Sequence, residues 1–509
     1  MPGPANRLRG DLTPCILHTD LTAQGGGLAR AVPERASLYA RHLEHVLVLT
    51  IGFNPRLDAI VAELQERGTL DERVVVRNFF RDSAWVRGLG TPPPEAMAVP
   101  LEPGVVPVLQ RMPGGPAFRV GERRAGEQHP HRYRYYDGEG RLALTTTAVP
   151  GKKFEVSALR PGPGATPFDW STVVAGWVDE ELASHRRPVL FSLQRGLVDP
   201  VLLATTTPSR KVVSLHNCHY RDPQDPTSGL RSIFRPVLEG RRQVDEVVCL
   251  TRQQREELEV DAPRAMIRSI NYPGRPVREE TAPKDEKLVV MVARLEPRKR
   301  VDHALRAFAR VLVDVPDARL EVYGAGVEEA RTQALVDELG LGSSVTLMGY
   351  SLSAGAAMSR ALCTVLTSTF EGNPRVVSES MSRGTPVVTY DIRYGPRDLV
   401  RDGVDGVLVT RHEPDALAEA LIGLLREPER ALAMGVRARE VLDRFPVADF
   451  ERAWLEVLHR RRRPLRVVLA DLRATVAPVR RRAAAVPAVR VLGQIGLSTR
   501  RRKVRVRAS

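Results

Sequence analysis

Six short apolar runs recur through the second half of the chain, beginning at Leu288, Leu320, Val345, Leu362, Pro386 and Gly406, with helix-like segments between them. After the first of them, Ala304, Leu305, Phe308, Val311 and Leu312 share one face of a helix predicted over 301–313. Continuous apolar strands alternating with amphipathic helices predict βα units, hence a parallel sheet buried on both faces. The N-terminal part repeats the pattern. A strand from Cys15 to His18, a helix over 28–43 and a strand over 46–51 come first. A helix over 169–184 and strands over 188–193, 211–215 and 245–251 follow. Between these blocks, from about 71 to 167, prolines and glycines are frequent and helical faces few. Arg132 to Tyr136 and Arg141 to Thr145, joined by Asp137-Gly138, predict a β-hairpin there.

Ligands of open α/β sheets gather at the carboxyl ends of the strands, and charged residues stand at those positions. The run Leu288 to Ala293 ends in Arg294, with Lys299 five residues on. A guanidinium offers a planar fork to phosphate oxygens and an ammonium acts as a point charge, so the two suit a diphosphate without a metal. After Leu362 to Leu366 come Glu371 and Glu379, eight positions apart, with a helix predicted to start near Pro374 and Asn373 as its cap. Helix N-terminal amides favour phosphate, and carboxylates accept hydrogen bonds from hydroxyls; a sugar nucleotide offers both. His216 follows strand 211–215 directly, where it reads as a site residue or as a cap for backbone groups. Gly25, Gly26 and Gly27 form either a close-approach loop or a flexible turn.

Taken together, Arg294 to Asp302, Tyr323-Gly324-Ala325-Gly326 and Glu371 to Glu379 resemble the C-terminal domain of retaining GT-B glycosyltransferases of family 4, over roughly residues 288–424. The resemblance implies an α/β GT-B fold, with two Rossmann-like domains facing a cleft. Residues 1–71 and 168–280 would form the acceptor domain, 72–167 a β-rich insertion, 281–455 the nucleotide-sugar domain and 456–509 a basic tail. It also implies roles. Arg294 and Lys299 would bind the donor diphosphate, Glu371 would lie at the donor sugar, and Glu379 would hold the ribose. His216 would face the sugar, while Gly324, Gly372, Asn373, Pro374, Gly26 and Gly27 would line the donor site. Arg375 departs from the family, where a small or apolar residue is common. The stretch from Tyr390 to Val400 and the β-rich insertion resemble a subgroup acting on polymers, either wall teichoic acid or serine-rich adhesin proteins. The expected activity is transfer of a hexose or N-acetylhexosamine from a UDP-sugar to a polymer hydroxyl, with retention of configuration and no metal or other cofactor. The insertion would hold the acceptor or assemble a homo-oligomer, with Tyr133, Tyr135 and Tyr136 available for stacking or for cross-strand packing. A non-catalytic partner subunit of the same fold is the alternative.

Charge adds one feature. Lys and Arg number 76 against 61 acids, a net of +15, and residues 460–509 hold sixteen basic residues against the single acid Asp471, so the body before them is neutral. Apolar residues interleaved with the arginines suit an interfacial attachment to an anionic membrane, with nucleic-acid binding as the rival. No run approaches the length of a membrane span and residues 1–20 lack an apolar leader, which predicts a cytoplasmic chain, peripheral at the inner membrane face. Cys15, Cys218, Cys249 and Cys363 stand singly in or beside apolar runs and read as buried thiols.

Overall fold

The computed structural model describes residues 11–23, 27–83, 104–111, 118–124, 130–136, 142–149, 152–157, 170–239, 244–263, 265–277 and 283–460. In chain order its strands are β1 (Leu12–His18), β2 (Val46–Thr50), β3 (Val74–Asn78), β4 (Val105–Arg111), β5 (Phe118–Arg124), β6 (Arg132–Tyr136), β7 (Leu142–Val149), β8 (Lys152–Ser157), β9 (Arg187–Ser192) and β10 (Arg210–Ser214). They continue with β11 (Tyr220–Asp222), β12 (Asp225–Leu230), β13 (Glu246–Cys249), β14 (Ile267–Ser269), β15 (Asp285–Val292), β16 (Arg319–Tyr323), β17 (Val345–Gly349), β18 (Ala361–Leu366), β19 (Val387–Tyr390) and β20 (Gly406–Val409).

Two parallel sheets organise the body. The first runs β14-β13-β10-β9-β1-β2-β3 and the second β17-β16-β15-β18-β19-β20. All six apolar runs of the second half became β15 to β20. The helix Val301–Asp314 buries Ala304, Leu305, Phe308 and Val311 against that sheet, with Leu312 at the margin. Strands such as β1 and β18 are buried along their whole length, as sheets covered on both faces require. The four cysteines are free and buried.

Between β3 and β9 the chain builds a separate antiparallel sheet, β4-β5-β6-β7-β8. The β6/β7 pair is the expected hairpin, whose turn lies outside the described residues. The stacking expectation for the tyrosines is corrected at Tyr135. Its ring is buried and stacks on Phe80 at 5.1 Å, so it anchors the insertion to the first lobe instead of facing a ligand. Tyr133 lies under the Arg119 guanidinium, 4.0 Å from the ring centroid. The side chain of Tyr136 lies outside the described set.

Two expected boundaries also move. The insertion cannot begin at residue 72, because β3 pairs in register with β2 as the edge strand of the first sheet. Its three valines make an apolar run too short to stand out before a proline-rich segment. At the other end, the helix Val447–His459 runs past the expected domain limit at 455 and packs on the first lobe. Trp454, Val457 and Leu458 join the core of Ile16, Val48 and Phe191. Burial of Val457 and Leu458 contributes about 1.5–3 kcal/mol apiece. The buried Arg35 guanidinium lies 3.0 Å from a Trp454 ring centroid. Among the described residues no helix is long and apolar enough to cross a membrane. Residues 461–509, which carry the basic tail, lie outside the described set.

Candidate functional site

β15 delivers Arg294 and a single turn of 3-10 helix, Pro297–Lys299, at its carboxyl end. The next residue, Arg300, takes a left-handed conformation (φ 45°), a position that normally favours glycine. Its guanidinium holds that turn against the segment leaving β18, donating to the carbonyls of Thr367 and Ser368 at 2.8 Å each. The two strand ends are thereby locked together. Lys299 Nζ then donates to Glu371 Oε1, Ser368 Oγ donates to the same oxygen at 2.7 Å, and Arg298 approaches Glu371 Oε2 at 3.6 Å. Burial would raise the Glu371 carboxyl, but Lys299 and Arg298 outweigh it and hold the group below its ordinary range. Lys299 and Glu371 thus form a buried, charged, hydrogen-bonded pair.

Arg294 stands further out. It is more than half exposed and pairs with Glu296, which also accepts from Arg298 at 3.0 Å, so it reaches Glu371 only through that chain. Sequence reasoning missed Arg298, the cation nearer to Glu371, because three consecutive basic residues give no sign of which one turns inward. Gly324 serves the same strand end from the β16 side. A Cβ there would sit 1.8 Å from the Ala293 carbonyl oxygen, so the glycine is needed for backbone contact beside Arg294.

The helix after Glu371 is Arg375–Ser382, one residue later than expected. Pro374 is extended and occupies the N-cap position, and no side chain caps the helix. Asn373 is not the cap. Its amide donates to the Leu250 carbonyl at 3.2 Å across the lobes, and its buried Oδ1 has no partner. Proline at the cap removes no donor that the helix needs.

Glu379 does not join Glu371. On the helix Arg375–Ser382 it accepts from Arg30 at 2.9 Å, while Arg375 makes a bidentate pair with Glu34 at 2.8 and 3.0 Å. Arg30 and Glu34 lie on the helix Gly27–Ala40 of the first lobe, which starts at Gly27; Gly26 lies outside the described residues. Arg30 at 3.7 Å and Arg275 at 3.3 Å add two further cations to Glu34. The two glutamates therefore belong to two charge clusters, one within the second lobe and one spanning both. Arg375, the departure from the resemblance, supplies the bidentate spanning contact with Glu34 beside the Arg30–Glu379 pair.

The clusters meet at His216. A Cβ on Gly372 would lie 2.2 Å from the His216 carbonyl oxygen, so the peptide after Glu371 touches the end of β10 directly. Gly372→Ala is accordingly expected to push the lobes apart and lower unfolding free energy by about 1–3 kcal/mol in a denaturant titration. His216 Nδ1 lies 3.1 Å from the Tyr272 hydroxyl, and Nε2 is buried without a partner. Burial lowers its pKa well below 6.5, and Arg35, Arg195, His18 and Arg375 reinforce the shift, so the ring is neutral. His219, three residues on, is a packing residue. It stacks on Tyr394 and lies 3.4 Å from Asp261.

The segment 391–398 completes the rim. Arg393 O accepts from the Glu371 amide and the Tyr394 amide donates to Glu371 O, both at 3.1 Å, and Asp391 pairs with Arg397. On its far side a cavity of about 430 Å³ opens towards Gln224, Arg252 and Gln253 of the first lobe. The cavity lies one loop away from the Lys299–Glu371 pair, not upon it.

Comparisons with known proteins bear on the fold. Residues 276–441 match the family described as glycosyl transferases group 1. Among curated proteins, the chain is 32% identical to an exopolysaccharide phosphotransferase of Streptomyces coelicolor over 54% of its own length and 31% of that protein. It is 25% identical to the poly(glycerol-phosphate) alpha-glucosyltransferase of Bacillus subtilis over 56% of its length and 42% of the relative. To the poly(ribitol-phosphate) alpha-N-acetylglucosaminyltransferase of Staphylococcus aureus it is 24% identical, over 51% and 53%. The chain thus spans about a third to a half of these relatives. Among solved structures, S. aureus TarM superposes with a TM-score of 0.68 over 88% of this chain and 99% of its own, at 17% identity. The pneumococcal O-GlcNAc transferase GtfA, bound to UDP and GlcNAc, gives 0.62 over 88% and 98% at 15%. The fold is GT-B.

Proposed function

We propose that the chain is a retaining glycosyltransferase that moves a hexose or N-acetylhexosamine from a UDP-sugar to a hydroxyl of a polymeric acceptor. The observation that carries this is the buried Lys299–Glu371 pair, tied by Arg300 and joined through Gly372 to His216 of the other lobe. A carboxylate and ammonium kept charged in a low-dielectric cleft interact strongly with an incoming sugar hydroxyl and a departing diphosphate. In this reading Lys299 moves from Glu371 to the leaving diphosphate, assisted by Arg298, Arg294 and the uncapped amides of the helix Arg375–Ser382. Glu371 then orients the sugar, His216 contacts its hydroxyls, and Glu379 exchanges Arg30 for the ribose. The charge on the diphosphate is met by side chains rather than by a metal ion.

The polymeric acceptor is assigned to the 430 Å³ cavity beside Arg393 and Arg397, open to the first lobe. Teichoic-acid-like polymers and protein Ser/Thr hydroxyls are the two acceptor classes, in line with relatives named for poly(glycerol-phosphate), poly(ribitol-phosphate) and peptide acceptors. A non-catalytic partner would have no reason to keep a buried ion pair, which is no more stabilising than an apolar one.

The test is nucleotide release. The full chain is expected to liberate UDP from UDP-glucose or UDP-N-acetylglucosamine in the presence of a glycerol- or ribitol-phosphate polymer or a Ser-rich peptide. Release of UMP would instead signal transfer of a sugar phosphate, and no release with any donor would remove the assignment.

A further inference from the structure

Tyr272 lies beyond β14, where the chain leaves the first lobe, and is buried. Its hydroxyl is 3.1 Å from His216 Nδ1 and makes no other hydrogen bond among the described residues. That pairing limits the tautomers of His216. With the ring proton on Nε2, the phenol donates to Nδ1 and one polar group, Nε2–H, is left over. With the proton on Nδ1, the ring donates to the phenol oxygen, and two groups are stranded: the phenol hydrogen and the Nε2 lone pair. A buried polar group without a partner is costly, so the first arrangement wins by one unmet group. Burial also raises the Tyr272 pKa, which keeps the phenol a donor.

The phenol is held from the opposite lobe. The Arg375 guanidinium lies over the Tyr272 ring, 4.8 Å from its centroid, and is itself fixed by its bidentate pair with Glu34. We propose that Tyr272, seated by the Arg375–Glu34 clamp, is a positioning residue that fixes His216 as the Nε2–H tautomer and so presents a donor to a hydroxyl oxygen of the bound sugar. This rests on the glycosyltransferase reading for its ligand, though not for its tautomer.

The experiment is histidine nitrogen NMR on the full chain labelled at its imidazoles, with the His216 signals assigned by their loss in His216→Gln, beside UDP-release kinetics. Wild type is expected to show His216 protonated on Nε2. In Tyr272→Phe, which keeps the ring, the tautomers should mix. The kcat should fall roughly fivefold to tenfold, the worth of one hydrogen bond, with KM for the UDP-sugar nearly unchanged. A wild-type His216 protonated on Nδ1 overturns the proposal outright. So does a Tyr272→Phe protein whose tautomer is unchanged, whether or not its rate falls. If the chain releases no UDP at all, the spectrum alone still decides the tautomer, and the failure then belongs to the functional reading.

Discussion

Lys299→Ala is expected to cut UDP release by roughly 10²–10³-fold, the usual cost of deleting one preorganised charge from a transition-state site. Leaving buried Glu371 with the Ser368 hydroxyl and, as its nearest cation, Arg298 at 3.6 Å should also destabilise the protein by about 3 kcal/mol. The two effects separate by construction. Glu371→Ala removes the other half of the pair and strands Lys299, so each single variant should lose stability. Lys299→Met with Glu371→Gln, which removes both charges and keeps the volume, should recover most of the stability but none of the activity. Activity would be read as initial rates well below the melting point of each variant. Recovery of turnover in the charge-free double variant would show that the pair is architectural only.

Acid should unfold this protein early. His18 and His219 are both lowered to about 4, chiefly by burial, and His216 lies well below 6.5 as well. Above pH 6.5 these rings are neutral in both the folded and unfolded chain and make stability independent of pH. Between 6.5 and 4 the unfolded chain takes up protons that the folded one refuses, so stability falls as pH falls, by about 3 kcal/mol for each of His18 and His219 by pH 4. Asp20 opposes this. Burial raises its carboxyl to about 6, so protonation below that pH favours the folded chain by a similar amount. Glu371, held below its ordinary 4.5, loses its contribution only at still lower pH. Asp199, also raised by burial, acts in the same sense as Asp20, and the net result is a loss of about 3 kcal/mol between pH 6.5 and 4. Guanidinium titrations at pH 7, 6 and 5 check this, and a flat line would contradict the buried, neutral histidines.

How much of this was readable beforehand depends on the range of the interaction. Strands β15 to β20 and the helix Val301–Asp314 were legible because periodicity is local and the parallel sheet is buried on both sides. Lys299 and Glu371 were legible only as members of a motif, and their contact spans 72 positions. The partner of Glu379 was not legible. Arg30 and Glu34 look like an ordinary helical surface pair, and nothing local says that Arg375 and Glu379 face them from the other lobe. The same applies to Tyr272, which in sequence is one aromatic residue before Pro273-Gly274, and to the helix Val447–His459. Its apolar stripe announces burial without saying in which lobe.

That last helix bears on how the molecule comes into being. The first sheet is encoded early, yet the groove beside Arg35, Tyr39 and Phe191 is filled by Trp454, nearly the whole body later. During synthesis the leading lobe must therefore wait, with an uncovered apolar groove, until its sibling has emerged. The portion made first is the portion completed last.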